Sequence, residues 1–262
     1  KYLSKENLAS KYIIITDSNV KNIYGKKIVD TLKNLDVHLI HFKAGERSKT
    51  RKTKEKLEDE MLKLNCTKDT CIIALGGGVV GDVAGFVAAT YMRGIPYIQI
   101  PTTTIAQSDS SYGGKTAVDV KEGKNLIGAF CNPKAVFVDV STLKTLSQRD
   151  YVNGLVEVLK HALTRDKNFF GYFCQNLSSI LNRNLPDFLD TMENLMVLNI
   201  NIKKDVVIED MKEKNLRKIL NYGHTIGHAI EKLSNYTLLH GEAVAIGIAI
   251  ESFIAFKLGF AS

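Results

Sequence analysis

Short runs of β-branched and other apolar residues punctuate the first half of the chain: YIIITD after Lys11, VHLIHF from Val37, CIIAL from Cys71, YIQIP from Tyr97 and AVFVDV from Ala135. Helix-length segments separate them, and that alternation predicts an α/β domain built on a largely parallel, buried sheet. After about Gln148 the strand signal stops. Segments such as DFLDTMENLMVLNINIKKDVV place apolar residues three and four apart, the period of an amphipathic helix, so the second half is predicted to be all α. LKTLSQRD reads as a polar connection in which Ser147 caps a helix start, and it sets the expected division at residues 1–147 and 148–262. Between the fourth and fifth runs, IPTTTIAQSDSSYGGKTAVDVKEGKNLIGAF is polar and glycine-rich, and is expected to carry little regular secondary structure.

Composition narrows the classes. The chain has 262 residues, 45% of them apolar, and a formal charge of +7, enough apolar content for a substantial core. Its lysines are interspersed with acidic residues and form no stripe with aromatics, which argues against nucleic acid as a partner. Cys66, Cys71, Cys131 and Cys174 fit neither a zinc knuckle nor a disulfide framework, no run is long enough to span a bilayer, and no signal-peptide pattern opens the chain. A cytoplasmic protein is expected. The start at Lys1 and the end at Ser262, directly after an apolar helical pattern, suggest a fragment truncated at its C-terminus.

Several motifs carry chemistry. ALGGGVVGDVAGF ends a predicted strand in Gly76, Gly77 and Gly78 and opens a helix. Glycines there let backbone approach a pyrophosphate, and the unpaired N–H groups of the helix start supply donors, although the spelling is not GxGxxG. Asp17 and Asn19 in TDSN, and Glu46 and Lys49 in GERSK, follow the first two strands on the side where parallel sheets bind nucleotides. Asp109, Lys115, Lys124 and Asn125 in the polar segment suit a phosphorylated, hydroxylated substrate. In NGLVEVLKHAL, Glu157 and Lys160 lie three apart on one helix face, a spacing that by itself most often marks an ion pair. His224 and His228 are four apart, and His240 follows in HGE; with a glutamate facing them, they match the ligand types of a catalytic zinc.

GGGVVGD, AATYMRG, PTTTIAQSDSSYGGKTAVD, GKNLIGAF, NGLVEVLKHAL, LNYGHTIGHAIE and LHGEAVAIG occur in the order found in the 3-dehydroquinate synthases, and the resemblance runs from about Ile13 to Gly259. AGFVAATYMRG and GGKTAVD look like the synthase domain of the fungal pentafunctional AROM polypeptide. The resemblance implies an α/β nucleotide-binding domain followed by an all-α metal and substrate domain, and a lyase that closes a sugar-acid phosphate into 3-dehydroquinate with NAD and Zn2+, Co2+ being an alternative ion. It implies Glu157, His224 and His240 as metal ligands, with Lys160, His228, Asp109 and Glu213 in catalysis. Arg93, Lys115, Asn125, Lys203, Arg217 and Asn221 would hold substrate; Arg93 would reach across a homodimer. The NAD set would be Asp17, Asn19, Glu46, Lys49, Gly77, Gly78, Val79, Asp82, Thr102, Thr103, Lys124, Thr142 and Thr145. Two departures stand out. EDMKEKNLR carries Met211 and Asn215 where the family has an acid and a glycine, and the family continues into further helix with a substrate lysine. The alternatives are another sugar-phosphate cyclase, a metal-dependent polyol dehydrogenase, and a catalytically inactive scaffold.

Overall fold

The computed structural model describes residues 2–210, 216–235 and 237–260. The chain forms two compact units: Lys1–Thr102 with Ser110–Asp139, and Thr103–Asp109 with Val140–Ser262.

In the first unit, β1 (Lys11–Asp17), β2 (Asp36–Phe42), β3 (Thr70–Gly76) and β4 (Tyr97–Pro101) make a wholly parallel sheet of order β2-β1-β3-β4. Their apolar runs are continuous because both faces are covered. Ile13 and Ile15 of β1 pack into one core with Val80, Val83, Ala84 and Val87, while Tyr12 and Ile14 pack into the other with Leu3, Cys71 and Ile73. Each such isoleucine, fully buried, contributes roughly 1.5–3 kcal/mol of transfer free energy. The covering helices are α1 (Tyr2–Glu6), α2 (Ser18–Val20), α3 (Lys26–Thr31), α4 (Arg51–Lys63) and α5 (Gly78–Thr90). α4 is amphipathic and buries Leu57 and Met61; α5 is apolar on nearly every face and packs on β3 and β4.

Two expectations need correction here. The polar segment folds in part as an antiparallel hairpin, β5 (Lys115–Val120) and β6 (Gly123–Phe130). Its period-two signal is weak because Ala117 and Val118 are buried on β5 whereas Leu126, Ile127 and Phe130 of β6 are exposed. AVFVDV, in turn, forms no named strand: it meets β4 at the isolated parallel bridge Gln99 to Val136 and goes no further. β4 ends on Pro101, which has no N–H to extend that ladder.

The second unit holds α6 (Gln148–Arg165), α7 (Lys167–Gln175), α8 (Leu177–Leu181), α9 (Phe188–Glu209), α10 (His224–Leu233) and α11 (His240–Lys257). Ser147 caps α6 as expected, accepting from the Asp150 N–H. Tyr151, Leu155, Val158, Phe169, Phe173, Phe188, Met192 and Leu195 form its core, and the buried Tyr151 hydroxyl is satisfied by the Ile180 carbonyl at 2.6 Å. α10 and α11 approach backbone to backbone: a Cβ on Gly247 would lie 2.0 Å from the Gly223 carbonyl oxygen, and Gly223 itself has φ +78°. Glu251 of α11 accepts from the Gly223 and Ile226 N–H groups at 2.7 and 3.4 Å, satisfying donors at the start of α10.

Candidate active site

α6 brings a carboxylate into the interior of the helical unit. Glu157 and Lys160 are 1% and 2% exposed and form an ion pair through Glu157 Oε2. Burial pushes the Glu157 carboxyl up, but the Lys160 charge and the neighbouring histidines pull it down further, to about 2. The other oxygen, Oε1, is buried with no hydrogen-bond partner. It lies 3.7 Å from His224 Nε2 and 3.5 Å from His240 Nε2. An unsatisfied buried carboxylate oxygen costs free energy unless a cation or donor completes it.

The opposite edges of the two rings show which nitrogen offers its lone pair. His224 Nδ1 is 3.2 Å from the Tyr222 carbonyl oxygen, which can only accept, so the proton sits on Nδ1. His240 Nδ1 is 3.3 Å from Glu231 Oε2, again an acceptor. Both Nε2 atoms thereby face Glu157, that of His224 with its lone pair and that of His240 as the nitrogen that would give up a proton to bind a cation. Two imidazole nitrogens and a carboxylate oxygen converging in this way have the chemistry of a divalent-cation site. Burial and Lys160 lower His224 to about 4. His240 rises to about 9, because Glu157 and Glu231 outweigh its burial.

Among the described residues, two groupings of side chains are compact enough to hold an ion: His224, His228 and His240, and Asp109, Glu157 and His161. In the second, Lys203 donates to the Asp109 carboxylate at 2.6 Å and Lys160 occupies Glu157, so both negative charges are already matched by ammonium groups. The histidine end of Glu157 is the better fit to a metal. His228 is exposed, with its ring 5.2 Å from that of His224 and 5.7 Å from that of His240.

A latch between α6 and α11 places His240. Asn153 Oδ1 accepts from the Gly241 N–H at 2.6 Å, and a Cβ on Gly241 would lie 2.0 Å from the Asn153 carbonyl oxygen. The glutamate of HGE, Glu242, does not face the histidines. It accepts from the Leu239 N–H and pairs with Arg149 through contacts of 2.6 and 2.7 Å.

Asp109 belongs to the same unit. α9 grips its turn twice: Asn199 donates to the Ser108 carbonyl at 2.6 Å, and Lys203, one helical turn on, holds the Asp109 carbonyl and carboxylate. Although burial raises the Asp109 carboxyl, Lys203 and Lys160 hold it well below the usual carboxylate range. Fully buried His161 meets Asn199 Oδ1 through Nδ1 at 2.8 Å, and its Nε2 lies 3.6 Å from Asp109. Thr142 and Thr145 lie on the 3-10 turn before α6, and Thr142 accepts from Gln107 at 2.9 Å. Thr103 accepts from the Ala106 N–H. Asn221 is exposed; Glu213 and the side chain of Arg217 lie outside the described residues.

In the sheet unit, the loops after β1, β2 and β3 carry the expected nucleotide residues. α5 opens after Gly77 with no side-chain cap, leaving its first-turn N–H groups as the donors for an anion. Gly76 is required here because a Cβ would lie 2.5 Å from Val80. Asp17 caps the turn after β1 by accepting from the Asn19 and Val20 N–H groups. Lys49, 4% exposed, pairs with Asp82 and donates to Asn125 Oδ1 at 2.5 Å. Burial lowers the Lys49 ammonium, but Asp82 and Glu46 raise it above its ordinary value. Lys124 is 3.9 Å from Glu46. Asn125 is therefore tied to the Lys49 cluster, while Arg93 is exposed in a left-handed turn, φ +66°, and Lys115 is exposed at the start of β5. Val79 lies in the first turn of α5, and Thr102 is buried with its N–H on the Gly76 carbonyl at 2.9 Å.

Glu231, Asn199, His161 and Arg149 were not singled out in the sequence. Only Glu231 had a local signal, falling three residues after His228 and seven after His224 on the same helical face.

The 3-dehydroquinate synthase N-terminal family matches residues 39–153 and the 3-dehydroquinate synthase C-terminal family residues 154–262. A 3-dehydroquinate synthase of Caldanaerobacter subterraneus subsp. tengcongensis is 49% identical over 98% of this chain and 72% of its own length. The pentafunctional AROM polypeptide of Clavispora lusitaniae is 46% identical over 94% of this chain and 17% of its own. Among solved structures, a 2-deoxy-scyllo-inosose synthase complexed with carbaglucose-6-phosphate, NAD+ and Co2+ superposes with a TM-score of 0.87 at 35% identity, covering 96% of this chain and 69% of that one. The 2-epi-5-epi-valiolone synthase of Streptomyces hygroscopicus subsp. jinggangensis, with NAD+ and Zn2+ bound, gives 0.88 at 30% identity, covering 98% and 72%.

Proposed function

Because the chain belongs to the 3-dehydroquinate synthase family, we propose that it converts 3-deoxy-D-arabino-heptulosonate 7-phosphate to 3-dehydroquinate and phosphate, a step of the shikimate pathway, using NAD and Zn2+ or Co2+. The observation that carries the metal requirement is the convergence of His224 Nε2 and His240 Nε2 on the unpartnered Glu157 Oε1. When bound, Zn2+ supplies Lewis acidity toward a substrate oxygen, and NAD supplies reversible hydride transfer at a substrate carbinol.

The chain's own residues do the remaining work. Glu157, His224 and His240 hold the cation. Lys160, fixed on Glu157, presents positive charge to an oxygen that becomes anionic in the transition state. Asp109, fixed by Lys203, accepts from a substrate hydroxyl. His228, exposed beside the two ligand histidines, donates to substrate, and Glu213 completes the catalytic set. Lys115, Asn125 and Arg93 take the phosphate; Lys203, Arg217 and Asn221 take the carboxylate and hydroxyls. Asp17, Asn19, Glu46, Lys49, Gly77, Gly78, Val79, Asp82, Thr102, Thr103, Lys124, Thr142 and Thr145 hold NAD. NAD is regenerated in each cycle, so these residues serve retention and orientation rather than exchange.

In this reading residues 1–147 serve the nucleotide and 148–262 the metal and substrate. The protein is a homodimer through the Arg93 turn, and it is cytoplasmic, in keeping with four free thiols and with the absence, among the described residues, of any helix long and apolar enough to cross a membrane.

The test is an assay with the heptulosonate phosphate, zinc and NAD in catalytic amount. Phosphate and dehydroquinate should form in equal amounts with no net NADH. Stoichiometric NADH would identify a dehydrogenase, and turnover confined to a hexose phosphate lacking the carboxylate would identify another cyclase.

A further inference from the structure

We propose that Glu231 is a positioning residue of the metal centre, setting the tautomer and ring angle of His240. The inference rests on the reading of Glu157, His224 and His240 as the metal ligands.

Glu231 is 6% exposed, and burying a carboxylate is costly unless a partner offsets it. Its Oε2 lies 3.3 Å from His240 Nδ1, a contact that runs from α10 to the first residue of α11. A carboxylate oxygen accepts, so this contact keeps a proton on Nδ1 and leaves Nε2, on the side facing Glu157, as the nitrogen that would give up its proton to bind a metal. The two ligand histidines differ in how they are held. His224 is 13% exposed, and its Nδ1 is matched by the Tyr222 backbone carbonyl, which no substitution removes. The His240 side chain is 30% exposed and depends on a side-chain acceptor. Without Glu231, water can take its Nδ1 and the ring can turn. The structure thus assigns the orientation of one ligand to a single carboxylate at the edge of the ring opposite Glu157.

The experiment compares the parent chain with Glu231→Gln and Glu231→Ala. Zinc affinity is read by competition with a chromogenic chelator across a range of free zinc, and the ligand field from the visible spectrum of the Co2+-loaded protein. Glu231→Ala should bind zinc about 10–100-fold more weakly and shift the cobalt bands. Glu231→Gln keeps shape and an acceptor oxygen but loses charge, so it should fall between Ala and the parent and largely restore the cobalt spectrum. A merely structural role would not order the spectra this way. Parent-like zinc affinity and cobalt bands in Glu231→Ala overturn the proposal. If that variant does not fold, parent-like zinc affinity in the isosteric Glu231→Gln does the same. A parent chain that takes up no metal overturns the metal centre itself, which separates the two failures.

Discussion

Glu157 has two physical descriptions that a single substitution cannot separate: counter-ion of Lys160 and ligand of a metal. Replacing it with glutamine leaves the Lys160 ammonium, 2% exposed, without its carboxylate. Breaking a buried pair by removing one partner costs about 3–5 kcal/mol. At ~2–4 °C per kcal/mol, the thermal midpoint should fall by roughly 6–20 °C. The same change removes the negative charge that His224 and His240 face at 3.7 and 3.5 Å, so zinc binding should weaken sharply. In Glu157→Gln/Lys160→Met both charges are gone and a neutral side chain of similar length fills the lysine's path. Replacing a whole buried pair by apolar groups is often neutral, so most of the thermal loss should be recovered. Zinc affinity should not recover, because no carboxylate is restored. Calorimetry of the metal-free variants and chelator competition on the same samples give the two readouts. If the double variant binds zinc as tightly as the parent, Glu157 serves only as the partner of a lysine.

Three further outcomes are expected. His240→Ala should lose the metal, whereas His228→Ala should keep stoichiometric zinc and lose turnover; metal analysis across free zinc concentrations decides between these ligands and a His224/His228 pair. Gly241→Ala puts a Cβ 2.0 Å from the Asn153 carbonyl oxygen, and should cost at least ~1–3 kcal/mol in chemical denaturation while weakening zinc binding by shifting the start of α11. Burial holds His161 down to about 4 from its ordinary 6.5, so the folded form stays neutral while the unfolded chain gains a proton. Stability should therefore decline as pH falls from 6.5 to about 4, by an amount on the order of 3 kcal/mol, and His161→Gln should flatten that part of the midpoint-against-pH curve.

The alternation of apolar runs and helical stretches was enough, by itself, for the α/β half and the all-α half, because burial on both faces of a parallel sheet leaves uninterrupted branched apolar runs. The glycine turn after β3 and the Ser147 cap were likewise local, and local backbone requirements are written in neighbouring residues. What the chain could not show was partnership at long range. The β5–β6 hairpin was hidden because β6 faces outward and has no apolar alternation to read, and AVFVDV looked like a strand although its neighbour ends in a proline. In the candidate site, Glu157 to Lys160 spacing was compatible with an ordinary surface pair until the fold buried both residues and left one carboxylate oxygen facing His224 and His240. Glu242, two residues after His240 in HGE, is sent by the fold to Arg149, 93 residues away in sequence. Lys203 and Asp109, 94 residues apart, are joined only when α9 packs on the turn that precedes β5. Hydrogen-bond direction, burial and charge pairing depend on which distant groups arrive within ångströms of one another, and tertiary packing alone decides that.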